Sequence, residues 1–84
     1  MLSEPNVVVF LDFGDACQNQ RNEFANELAI HDWVRFPKAA NSFCTRFLNN
    51  PSDSTIVRSS ESDIDTVANH VGLDDWSAVC VLSD

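Results

Sequence analysis

The chain has 84 residues, with room for one domain only, read here as a single unit over residues 1–84. Thirteen acids against five bases give a formal net charge of -8, which opposes direct binding to DNA or RNA, where neutralising phosphate supplies much of the affinity. A hydrophobic share of 44%, with six phenylalanines and two tryptophans, suffices for a small core, and no stretch approaches the roughly 18 apolar residues of a membrane span.

The first element is "VVVFLDF", residues 7–13, whose β-branched and aromatic composition is that of a strand. Val7, Val9, Leu11 and Phe13 fall on one face and Val8 and Phe10 on the other, so the strand is expected to be central and covered on both sides. Gly14 breaks it, and Asp15 with Gln18 reads as a capping pair opening a helix from Ala16. Cys17, Phe24, Ala25 and Leu28 then share a helical face, and the helix is expected to end between Ile30 and Asp32.

"WVRF" (33–36) and "SFCTRFL" (42–48) read as a hairpin around "PKAAN", made locally positive by Arg35, Lys38 and Arg46. Residues 49–58 allow two readings. Asn50 caps a helix that starts at Pro51, or a turn leads into a short strand "STIVR". The apolar spacing of Ile56, Ile64, Val67, Ala68 and Val71 favours helix, whereas the serines and the β-branched run at 55–57 oppose it. The helix is firm from about Ser60, where Ser60 and Asp63 resemble a capping pair, to Gly72, a natural terminator. "WSAVCVLSD" (76–84) is the last strand, with Trp76, Ala78, Cys80 and Leu82 on one face and Val79 and Val81 on the other.

The order strand, helix, strand, strand, helix, strand predicts an α+β ferredoxin-like βαββαβ sandwich, an antiparallel sheet with two helices on one face. Its other face would carry the remaining apolar side chains of the first and last strands, and a small monomer rarely leaves such a patch in water. A homodimer is therefore expected. Three cysteines without a C-x-x-C pair, and an N-terminus "MLSEPN" without a basic segment leading into an apolar run, point to a reducing, cytoplasmic setting with small buried thiols.

All five bases lie between Arg21 and Arg58, and six acids with no lysine or arginine follow Ser59. Glu61, Asp63, Asp65, Asp74, Asp75 and Asp84 thus form a candidate acidic surface for a basic partner, such as a nucleic-acid-binding protein whose groove they would occupy in place of phosphates. Asp15 reads as a helix cap, and His31 and His70 as residues near helix C-termini, where the dipole favours a protonated imidazole. Zinc spacing, a glycine-rich phosphate loop and a Ser–His–Asp pattern are missing from the sequence.

"VVVFLDFGD" followed by "RNEFANEL" resembles the small CRISPR-associated adaptation family related to the VapD ribonucleases, whose fold and size the GhoS-type antitoxin ribonucleases share. The likeness covers residues 7–28 and, beyond them, the order of elements. It implies that Asp12 is a catalytic residue and a ligand of Mg or Mn, shared by two copies at a dimer interface, in a metal-dependent endoribonuclease. The loop "FGDACQNQ" is longer than the family's and lacks its basic residues. Two functions follow from the sequence. The first is a small acidic inhibitor or neutraliser of the antitoxin, immunity or phage anti-defence type, working without a cofactor. The alternative is the ribonuclease centred on Asp12.

Overall fold

In the computed structural model, which describes residues 5–49 and 51–82, the chain runs β1 (Val7–Asp12), α1 (Gln18–Ile30), β2 (Val34–Arg35), β3 (Ser42–Thr45), α2 (Asp53–Val71) and β4 (Ser77–Leu82). The four strands form one antiparallel sheet in the order β2-β3-β1-β4. With β1 and β3 in the middle, this is the ferredoxin-like arrangement that the element order predicts.

The alternation of β1 builds the core. Val7, Val9, Leu11 and Phe13 are buried against Phe24 and Leu28 of α1 and against Ile56, Ile64, Val67, Ala68 and Val71 of α2. Phe13 meets Phe24 edge-on at 5.3 Å between centroids, and Phe24 meets Phe43 of β3 at 5.7 Å. Among the described residues, no helix lies against the other side of the sheet. Val8 lies in register with Cys44 on β3 and Val81 on β4, and Cys44 in turn with Val34 on β2, so one apolar row crosses all four strands. Phe10 pairs with Val79 in the next row. Val34, Val79 and Val81 are 61%, 62% and 46% exposed, and Phe10 38%.

Several boundaries differ from the sequence reading, each for a local reason. Helix α1 starts at Gln18 with Cys17 as its N-cap, not at Ala16 with Asp15, because Asp12 Oδ1 accepts from the Gly14 N–H (2.9 Å) and the Phe13 carbonyl from the Ala16 N–H (3.1 Å), holding the chain in a turn. Gln20, not Gln18, reaches back to the Cys17 N–H at 3.2 Å. Strand β2 is shorter than 33–36 because Trp33 turns inward and is buried. Strand β3 stops at Thr45, since the Asn6 side chain brackets Phe47, accepting from its N–H at 3.0 Å and donating to its carbonyl at 2.9 Å.

Helix α2 takes in the stretch that the sequence left open. Ser52 is its N-cap, its Oγ accepting from the Thr55 N–H at 3.3 Å, and Asp53 sits in the first turn where the dipole favours an acid. Asn50, the alternative cap, lies outside the described residues. Ser60 is no cap: it is fully buried in mid-helix, in phase with Ile56 and Ile64. Burial of that stripe outweighs the low helix propensity of Thr55, Ile56 and Val57. Gly72, at φ 77°, closes the helix as expected. Among the described residues no helix is long and apolar enough to cross a membrane.

Candidate protein-binding surface

The acids predicted to meet a partner separate into three groups. Asp74 and Asp75 are exposed in the loop that joins α2 to β4. That loop packs on the turn after β1: a Cβ added at Gly14 would collide with the Asp75 carbonyl, and Gly14 holds φ +57°. Gln20 Nε2 donates to the Gly72 carbonyl at 3.3 Å, tying α1 to the same place. A small cavity of about 180 Å³ there is lined by Phe13, Asp15, Gln20, Asp74 and Asp75 among others. Asp15 thereby joins Asp74 and Asp75, a juxtaposition that its reading as a helix cap missed. Asp12 is at the same end of the sheet, paired with Ser77.

Glu61 and Asp65 form the second group. They stand one turn apart on α2, both exposed, and line a groove of about 680 Å³ between α2 and β4. Cys80 lies in this groove, and its thiol is pushed up from its ordinary value, first by burial and then by the negative charge of Glu61. Cys44, on the other face of the sheet, is raised by burial alone. Cys17 departs from the expectation of buried thiols, because as the N-cap of α1 it is exposed.

Asp63 stands alone in the third. Its Oδ2 accepts from Trp33 Nε1 at 3.0 Å, joining α2 to the chain just before β2. The carboxylate is half-buried and serves the fold, so it contributes less to an outward surface than its neighbours at 61 and 65. Asp84 lies outside the described residues. His70, in the last turn of α2, has Nε2 3.7 Å from Glu27 Oε1 on α1, and His31 caps the end of α1. Both positions fit the helix-end reading. Of the hairpin bases, Arg35 lies over the Phe43 ring at 5.7 Å, and Lys38 is exposed.

Asp12 is exposed, with one carboxylate oxygen committed to the Gly14 N–H. Among the described residues no group of three or more His, Cys, Asp or Glu is placed to hold a metal ion. A hard cation takes six or more oxygen ligands. Mg²⁺ is commonly held by one or two carboxylates with water completing its shell, and Asp12 offers one such group; an ion shared by two copies would take the second carboxylate from the partner copy.

The element order places β4 at an edge of the sheet, but it does not show the groove beside it. The signal that was present is size. Ala78 and Cys80, on the helix-facing side of β4, are too small to fill the space under α2. Compared with family models, curated proteins and solved structures, the chain finds no match.

Proposed function

We propose that this chain is a non-enzymatic binding protein that neutralises a basic protein partner, in the manner of antitoxins, immunity proteins and phage anti-defence proteins, and that it works as a homodimer. The observation that supports this reading most is where the acids stand. Asp15, Asp74 and Asp75 gather beside one small cavity, and Glu61 and Asp65 line the α2–β4 groove, all of them exposed. The open sheet face instead exposes Val34, Val79 and Val81 with Phe10 at its margin. Partner binding and self-association thus have separate surfaces.

The test is affinity capture from the native host, with the captured partner then measured against two charge-reversed variants. Asp74→Lys with Asp75→Lys should slow association and weaken capture while leaving the fold intact, since both side chains are exposed in a loop. Raising the ionic strength should do the same to the parent chain. Reversing Arg35, Lys38 and Arg46 to Glu should have little effect. If the hairpin reversal abolishes capture and the loop reversal does not, the acidic surface is not the binding surface. Incubation with single-stranded RNA, with and without Mg²⁺ or Mn²⁺, beside Asp12→Ala, decides the ribonuclease alternative. Metal-dependent cleavage that the variant loses would replace the binding reading.

A further inference from the structure

We propose that the groove between α2 and β4 receives an extended basic segment of the partner, which adds to the sheet as a fifth strand along the outer edge of β4. The proposal rests on the acidic-binder reading and specifies how that binder engages its target.

Among the described residues, strand β4 ends the sheet and is paired with β1 only. An edge strand offers a row of backbone donors and acceptors to an incoming strand, and main-chain pairing of this kind is a recurrent way to bind extended peptides. Edges are commonly guarded by charge, proline or a covering helix, and among the described residues none of these protects β4. Its sequence, "SAVCVL", has no charge and no proline, and α2 leaves the groove open beside it.

The side chains say what kind of strand fits. Val57, Ile64, Trp76, Ala78 and Cys80 give the groove an apolar lining, with room above the two small residues. Glu61 and Asp65 stand on its helical wall, and Glu61 is near enough to Cys80 for its charge to act on the thiol. Arg58 also lines the groove, leaving an excess of one carboxylate. This favours basic over acidic residues on the groove-facing side of the incoming strand.

Side chains alternate across a strand. One set of the incoming residues would point into the groove, with the stem of a lysine or arginine along Trp76 and its charged head at Glu61 and Asp65. The other set would point to the open face and extend the surface of Val79 and Val81. The favoured ligand therefore alternates basic and apolar residues. A second copy of this chain suits the edge poorly. Pairing β4 with β4 about a two-fold axis normal to the sheet would put both α2 helices on the same side, bringing Glu61 and Asp65 of the two copies towards each other.

The probe is an end-capped synthetic peptide alternating lysine and valine, added to the full chain and followed by amide exchange and ¹⁵N chemical shifts. Binding should slow exchange at the outward-facing amides of Ser77–Leu82. Affinity should fall about tenfold or more when alternate peptide nitrogens are methylated on the pairing edge, since each methyl removes a main-chain donor and its hydrogen bond. Glu61→Lys with Asp65→Lys should weaken binding similarly, and a glutamate–valine peptide should not bind. Binding that ignores methylation, or that leaves the β4 amides unprotected, would overturn strand addition while the acidic-surface reading stands. Failure of the lysine peptide to bind would also overturn it, and the reversal of Asp74 and Asp75 tests the broader reading independently.

Discussion

Glu61, Asp63 and Asp65 alternate along α2 and look equivalent in the sequence, yet only Asp63 is tied to the core. Trp33 is 1% exposed, and its indole N–H has the Asp63 carboxylate as acceptor. Asp63→Ala removes that acceptor and leaves a buried donor unpaired, a loss of about 1–3 kcal/mol that should appear as a lower urea midpoint. Asp63→Asn keeps a carbonyl oxygen in place and should recover most of it. Glu61→Ala and Asp65→Ala should stay within about 0.5 kcal/mol of the parent, as exposed substitutions do. Equal losses at all three positions would mean that the Trp33 bond does not support the fold. No local pattern could separate these residues, because the distinction comes from a tryptophan 30 positions away. What was legible was their charge and helical setting. The alternation of Val7 to Phe13 was legible too, since a strand's two faces are written in its own residues.

At the scale of elements, the two glycines terminate different things and should respond differently to alanine. Both hold left-handed backbone, Gly14 at φ +57° and Gly72 at φ +77°. That geometry costs an alanine roughly 1–2 kcal/mol at either site. Around Gly72 there is open space for a Cβ, so Gly72→Ala should lose about that much and no more. At Gly14 the added carbon runs into the backbone of Asp75, which cannot rotate away as a side chain would. Gly14→Ala should therefore lose more stability than Gly72→Ala and should also shift the amide resonances of Asp74 and Asp75. If the two variants melt alike and the loop resonances stay put, the β1–α1 turn does not brace the acidic loop. The sequence showed each glycine as a break in a pattern. It could not show that the first break sits against a loop some 60 residues on. The start of α2 was obscure for a related reason: local propensities conflict there, and burial of Ile56 against the sheet decides.

At the scale of the whole molecule, the open sheet face and the net charge of -8 act in opposite directions on self-association. The exposed side chains of that face, Val34, Val79, Val81 and Phe10, gain by leaving water, at about 25 cal/mol per Å² of apolar surface covered. Like charges on the two copies repel, and added salt screens that repulsion. The dimer should therefore tighten as ionic strength rises, whereas capture of a basic partner through the acidic surface should weaken. Light scattering at micromolar concentration should give twice the chain mass, with the monomer fraction falling as NaCl is added. Val79→Lys with Val81→Lys should give a folded monomer, because both side chains are exposed on β4 and point away from the core. The same variant keeps Glu61, Asp65 and the groove-facing side of β4, so α2 should remain able to meet a basic ligand. A parent chain that is monomeric at every salt concentration would remove the dimer from the proposal. A dimer that survives both lysines would move the interface off the open face.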